Sequence, residues 1–409
     1  MEIRQLRADE FEERVALSEF AFQFQLPPEK LETHRTAFRP EWEWGIFNEK
    51  GEMLSVLSIL PFETWIQGKK IAMGGIAGVA TWPEARRQGS VSKLLVHSLD
   101  TMRKNGQTIS MLHPFAFSFY RKYGWEMTIE RKNYTILTHQ LPPRVEMPGQ
   151  VKRMPKPDIN MLDQVYSKYA SRYSGTLVRT ADWWERKILS KTGMMAVYIS
   201  EAGEPEGYVF YETVKRKLTV HDWTSITDTA RQALWTYIGN HDSMIDEVSI
   251  TVPVDDSLPF LLPDPRVKQE LIPYFMTRIV DAEAFAGLYS WSAGESEEEV
   301  VITLTDAHAP WNNGVFRLVW SKEGTARLER MELKTMGEGQ GNKIAEETTG
   351  LACGVGGITC DIQALTAMLL GNRKPIWMRE AGRITGSEES IMMLERRIPI
   401  GTTHLMDFF

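Results

Sequence analysis

Cysteine is nearly absent: Cys353 and Cys360 are the only two in 409 residues. So few thiols exclude a disulfide framework and a cysteine-built zinc site. They fit a chain kept reduced, as in the cytoplasm. No apolar run approaches the about 18 residues that a membrane-spanning helix needs. The opening Met1-Glu2-Ile3-Arg4-Gln5-Leu6 lacks the basic patch and apolar stretch of a secretory leader. The eight histidines show no metal-ligand spacing, so no metal is expected. Positive charge is in short supply: 47 Lys and Arg against 54 Asp and Glu give a net charge of −7, the wrong sign for general nucleic-acid binding. There is no short-period repeat and no low-complexity tract.

What remains has the composition of a globular protein, with 43% apolar and 25% charged residues. The length predicts roughly two to four domains. The first third alternates strands, at residues 44–47, 54–61 and 71–81, with a helix after Ser90 that carries Val91, Leu94, Leu95, Leu99 and Met102 on one face. A buried strand at 108–112 and a short helix at 117–122 follow. The proline-rich stretch 141–157 predicts a linker. Beyond it come helices at 160–170, 181–189 and 228–239 and strands at 197–200, 207–214 and 247–252. The small, acidic stretch 292–299 marks a second boundary; strands at 300–304, 314–320 and 331–333, a glycine-rich loop and a helix at 361–370 complete the chain. The pattern predicts a mixed α/β (α+β) fold in three units, residues 1–145, 146–290 and 291–409.

One segment carries recognisable chemistry: Val79-Ala80-Thr81-Trp82-Pro83-Glu84-Ala85-Arg86-Arg87-Gln88-Gly89-Ser90-Val91-Ser92. A glycine turn entering a helix exposes backbone N–H groups, and the helix dipole adds partial positive charge at that end. Two arginines supply charge-assisted donors, so the loop forms an anion cradle suited to a pyrophosphate. The same residues also fit an ordinary helix start with solvated arginines. The loop is neither a Gly-Lys-Ser/Thr phosphate loop nor a Gly-x-Gly-x-x-Gly dinucleotide turn.

Strand, Pro-x-x-Arg-Arg-x-Gly, then helix resembles the coenzyme A loop of the GCN5-related N-acetyltransferase (GNAT) superfamily. With the run Phe119-Tyr120-Arg121-Lys122-Tyr123-Gly124-Trp125 and a final Phe409, the whole chain resembles the Eis (enhanced intracellular survival) acetyltransferases. One departure is Val91, where the broad superfamily often has Gly or Ala. The resemblance implies two tandem GNAT-like domains, the second degenerate, and a sterol-carrier-protein-like C-terminal domain. It implies acetyl-CoA as cosubstrate, with Val79, Ala80 and Thr81 pairing the pantetheine arm. Arg86, Arg87, Gln88, Gly89, Ser90, Val91 and Ser92 would hold the pyrophosphate, and Phe115 and Ala116 would line the thioester end. It implies Tyr120 as proton donor, although locally Tyr120 also reads as a core tyrosine among Phe117, Phe119 and Tyr123. It implies the Phe409 carboxylate as base, a homohexamer, and aminoglycoside-like polyamines or peptide lysines as acceptors.

For the acceptor side, Phe22, Phe24, His34 and Trp42 are candidates, with Asp407 adding negative charge for a protonated amine. Trp183-Trp184 reads as core or interface packing. A rival reading of the third unit makes the chain a lipid-binding protein with a vestigial acyltransferase half.

Overall fold

The computed structural model describes residues 2–332, 357–371 and 373–409. The predicted glycine-rich loop, together with Cys353, lies outside the described residues. A single twelve-stranded sheet joins the first two units. The first half contributes β1 (Glu2–Gln5), β2 (Glu43–Phe47), β3 (Met53–Ile66), β4 (Lys69–Thr81), β5 (Ile109–Leu112) and β6 (Glu126–Leu137). The second contributes β7 (Gln150–Arg153), β9 (Met194–Ile199), β10 (Pro205–Val214), β11 (Lys217–Ser225), β12 (Glu247–Val252) and β13 (Lys268–Ile279). The order is β1-β2-β3-β4-β5-β13-β6-β12-β11-β10-β9-β7, in which the halves exchange their last strands. β13 pairs antiparallel with β5, and β6 pairs antiparallel with β12. Each half repeats one pattern: an antiparallel hairpin (β3–β4, β10–β11), then a parallel partner reached through a helix (β5, β12).

The helices follow the sequence pattern closely. α3 (Ser90–Lys104) buries Leu94, Leu95, Leu99 and Met102 against β2–β4. Among the other helices, α1 (Phe11–Phe22) and α2 (Pro28–Ala37) precede β2, α4 (Phe117–Arg121) follows β5, α5 (Ile159–Ala170) lies in the second half, and α7 (Asp228–Gly239) occupies the place of α3 there. Between α5 and α7, a helical turn α6 (Ala181–Trp183) runs into a wider turn at Trp184–Ile188.

β4 owes its packing to glycine. A side chain on Gly74 would strike Met102 of α3, and one on Gly75, facing the opposite side, would come within 2.8 Å of the Phe409 ring. At the β3–β4 hairpin, Gln67 and Gly68 take the left-handed conformation that a two-residue turn demands.

The third unit is a five-stranded sheet, β16-β15-β14-β17-β18, built from β14 (Glu298–Thr305), β15 (Gly314–Trp320), β16 (Ala326–Arg330), β17 (Ile358–Asp361) and β18 (Ile384–Gly386). Its core runs unbroken into the first sheet, joining Met73, Met111 and Phe275 to Ile302, Leu365 and Met368. α8 (Ala282–Leu288), within the expected second unit, packs on β16 with Phe285 and Ala286 in that core.

Two expectations need correction. Of the strand expected at 331–333, Met331 and Glu332 are outside any strand and Leu333 lies outside the described residues; the strand is at Ala326–Arg330, where an edge position allows the charged sequence Ala-Arg-Leu-Glu-Arg. The expected linker 141–157 contains β7, which pairs with β9 as the sheet's edge. Among the described residues no helix is long and apolar enough to cross a membrane, and no group of His, Cys, Asp or Glu could hold a metal.

Candidate active site

β4 and β5 run together only over residues 73–76 and 109–112. Residues 77–81 continue with β3 alone, so the other edge of Val79, Ala80 and Thr81 faces the splay without a strand partner. An extended chain carrying amides could add to that edge as a strand would. Gly78, at φ +59°, permits the bend where the strands part.

At the end of β4 lies the basic loop. Arg86, Arg87, Gln88 and Gly89 are exposed, and among the described residues neither arginine is in an ion pair. Arg86 Nε lies 3.4 Å from the Thr81 carbonyl, and Gln88 Nε2 donates to the Glu84 carbonyl at 2.8 Å. Gly89 caps α3 in the left-handed conformation (φ +80°) with open space around it. No side chain caps the helix, and the first turn's amides, at Ser90, Val91 and Ser92, precede its first internal bond, Lys93 N–H to Gly89 C=O. The buried Ser90 hydroxyl has no partner in the protein. Arg87 itself holds a positive φ of 63°, an uncommon backbone conformation for a residue with a side chain. Uncapped amides, a dipole and two unpaired guanidinium groups together fit a diphosphate.

Past β5, Phe115 is 73% exposed while Ala116 starts α4. Phe115 packs at 5.4 Å on Tyr120, which is 3% exposed and also meets Phe119 and Trp125. Burial pushes the Tyr120 phenol far above the usual phenol range, so it stays protonated.

The tail docks. Thr402–Thr403 pairs with β8 (Tyr173–Ser174), the Thr403 hydroxyl donates to the Thr128 carbonyl at 2.6 Å, and Leu405 is fully buried. Phe409 packs at 4.9 Å on both Phe62 and Phe275. Its ring lies on the Gly75 face of β4, whereas Tyr120 belongs to the cluster of Ile76 and Leu112 on the other face. The segment after β5 links the two: His113 stacks on Phe408 at 5.0 Å, and Phe115 on Tyr120.

Asp407 does not present its charge to a substrate. Its side chain is sealed and accepts from Arg179 Nε at 3.0 Å, Trp183 Nε1 at 2.8 Å and Tyr166 Oη at 3.4 Å. Arg179 in turn grips Asp222 with both terminal nitrogens, at 2.6 and 3.2 Å. Asp407 is thus the buried bolt of the tail. Sequence reading missed Arg179, Tyr166 and Asp222 altogether; the Trp183-Trp184 pair was their one visible trace. Of the other acceptor candidates, Phe22, Phe24 and His34 are exposed on the α1–α2 segment, and half-buried Trp42 lines a shallow cleft with Gln5 and Trp44. The structure does not gather these four around the tail.

Two models of the acetyltransferase (GNAT) domain match residues 2–128 and 175–279, and the sterol carrier protein domain model matches residues 282–406. The fold is therefore two GNAT domains followed by a sterol-carrier-like domain, and the chain is an acetyltransferase. An uncharacterized N-acetyltransferase of Streptomyces avermitilis is 22% identical over 376 residues, covering 83% of this chain and 82% of its own. A conserved protein of Enterococcus faecalis, described as a "Probable N-Acyltransferase", superposes with a TM-score of 0.88 at 26% identity over 100% of this chain and 99% of its own. Eis1 of Mycobacterium abscessus shares the fold over the full length of both chains, with a TM-score of 0.79 at 20% identity.

Proposed function

We propose that the chain is an Eis-like, acetyl-CoA-dependent N-acetyltransferase that passes the acetyl group directly to an amine in a ternary complex. The observation that carries this reading is the open loop at residues 86–92, where two unpaired arginines meet an uncapped helix at the end of a splayed strand.

Acetyl-CoA bound there supplies an acetyl group activated as a thioester. Residues 86–92 hold its pyrophosphate, the free edge of residues 79–81 aligns the arm, and Phe115 and Ala116 wall the thioester end. Tyr120 Oη is protonated at neutral pH and offers its hydrogen to the departing sulfur; because burial raises its hold on that proton, it acts by hydrogen-bonding the thiolate as charge develops. The carboxylate of Phe409, held by the bolted tail, receives the proton of the incoming amine. Cys360, the one described cysteine, offers no nucleophile: it is buried and its thiol is pushed up to about 12, which favours direct transfer over a thiol-bound acyl enzyme.

The lipid-carrier alternative would require an apolar cavity in the third unit. Among the described residues the third unit's interior, between Trp291, Leu318 and Leu365, holds a void of about 10 Å³, no more than one water. The family resemblance adds the proposal of a homohexamer, which light scattering on the purified protein tests.

The deciding experiment follows thiol release from acetyl-CoA across amine classes, for wild type, Tyr120→Phe and a chain lacking Phe409. Turnover with at least one amine, and a loss of about 10²-fold or more in both variants, is the expected result. No turnover with any amine, and no thermal stabilisation by acetyl-CoA, would overturn the reading.

A further inference from the structure

A cavity of about 270 Å³ opens where the two halves meet the tail, lined by Arg131, Lys191, His221, Asp222, Tyr274 and Phe408, among others. It adjoins the proposed site, because Phe408 also stacks on His113, two residues before Phe115. The volume is the share of about nine liquid waters, enough for a small amine.

Two cations, Arg131 and Lys191, face it against one carboxylate, Asp222. Arg131 lies flat on the Tyr274 ring, 4.1 Å from its centre, and that ring is fixed by a 2.9 Å bond from its hydroxyl to the Asp407 carbonyl. The guanidinium is thus oriented in advance. Yet among the described residues no carboxylate lies within ion-pair distance of Arg131, and its buried Nε has no acceptor. Lys191 likewise has no ion pair among the described residues. Asp222, the carboxylate in the wall, is already taken by Arg179 and by Tyr208 Oη at 2.9 Å. His221 Nε2 lies 3.2 Å from the Thr192 carbonyl, and burial lowers its affinity for a proton. A planar guanidinium fork without a carboxylate of its own suits a carboxylate or phosphate of a ligand.

We propose that this cavity binds an anionic group of the acceptor, so that the preferred substrate is an amine carrying a carboxylate or phosphate and not a polycation. The proposal rests on the acetyltransferase reading above and names the substrate class of that same site.

The test compares KM, at saturating acetyl-CoA, for two matched pairs: glucosamine 6-phosphate against glucosamine, and β-alanine against its amide, with spermidine as the polycation. Wild type, Arg131→Lys and Arg131→Met are compared. In wild type the anionic member of at least one pair has a KM about tenfold or more below its uncharged counterpart, as one charge-assisted contact provides. The ratio collapses towards one in Arg131→Met and survives in part in Arg131→Lys. A second arm needs no turnover: inorganic phosphate raises the thermal midpoint of acetyl-CoA-saturated wild type and does so less for Arg131→Met. Equal KM within both pairs, a preference for spermidine, or an equal phosphate response in wild type and Arg131→Met would overturn the proposal. So would an Arg131→Met variant whose acetyl-CoA Kd rises by the same factor as its acceptor KM, since the cavity would then serve the coenzyme. Failure of acetyl-CoA to bind wild type would instead sink the acetyltransferase reading, and the phosphate response of the protein alone would still report on the cavity.

Discussion

The buried bolt of the tail makes a graded prediction. Asp407 and Asp222 share one guanidinium, Arg179, and all three side chains are 0–1% exposed. Asp407→Asn leaves Arg179 paired with Asp222, so no charge is orphaned. What changes is that the two bonds from Arg179 Nε and Trp183 Nε1 become bonds to a neutral oxygen. A hydrogen bond to a charged group is worth roughly 1 kcal/mol more than a neutral one, so the tail loses about 2 kcal/mol of docking, or about 30-fold in its opening equilibrium. Arg179→Met is a different perturbation: it strands two buried carboxylates, which costs on the order of 3–5 kcal/mol or more and threatens the whole second half. Carboxypeptidase digestion of the native protein reads the first effect directly, because Phe409 is released only from the open tail. The rate is expected to rise about 30-fold in Asp407→Asn, with turnover falling and acetyl-CoA affinity preserved. If phenylalanine is released equally fast from wild type and Asp407→Asn, the bolt does not hold the tail and the argument fails.

Three further outcomes follow from single features. His404 is fully buried, its Nδ1 has no acceptor, and burial pushes its imidazole down to about 3. An unfolded histidine titrates near 6.5, so this contribution to stability is complete above about pH 6.5 and is lost at up to about 1.4 kcal/mol per unit as pH falls towards 3. Denaturation midpoints of wild type should fall through that window, and His404→Gln should flatten the fall; a parallel profile would refute the assignment. Arg86→Gln and Arg87→Gln should each raise the acetyl-CoA Kd about tenfold and reduce its salt dependence, with little change in melting temperature because neither arginine is in an ion pair among the described residues. Titration calorimetry should give one acetyl-CoA per chain, and two would contradict the reading of the second half.

The legible parts of the sequence were those governed by local rules. α3 announced itself by Leu94, Leu95, Leu99 and Met102 at helical spacing, and α7 and β12 were read to the residue, at Asp228–Gly239 and Glu247–Val252. The strand, basic glycine loop and helix at residues 79–92 were legible because they are contiguous. What stayed hidden depends on distance along the chain. β13 went unread, and no periodicity shows that it inserts between β5 and β6, where Thr277 pairs with Glu126, 151 residues earlier in the chain. Asp407 looked like free negative charge, because nothing in its neighbours foretells Arg179, 228 residues away. The unpaired state of Arg131 is likewise a property of three elements meeting, not of any one of them.

The two halves repeat one pattern, yet they differ at the loop proposed to hold the coenzyme. At the end of β4, Gly89 leaves the first turn of α3 uncapped and two arginines stand free. At the matching end of β11, the turn Ser225-Ile226-Thr227 closes on itself: the Thr227 hydroxyl caps the Ala230 amide at 3.2 Å and donates to Glu206 at 2.7 Å. The cavity beside it, of about 250 Å³, is lined by Asp228, Asp255 and Asp256 together with Arg172 and Arg231, but Arg231 is tied to Asp228 and Arg172 donates to the Ile226 carbonyl at 2.7 Å. A diphosphate entering there would lose its water, find the helix amide and both arginines already engaged, and meet three carboxylates of its own sign. The second half keeps the sheet and turns its β11 residues Asp222 and His221 towards the tail and the central cavity. In the function proposed above, one copy thus takes the donor, and the other builds the wall against which the acceptor and the C-terminal segment are held.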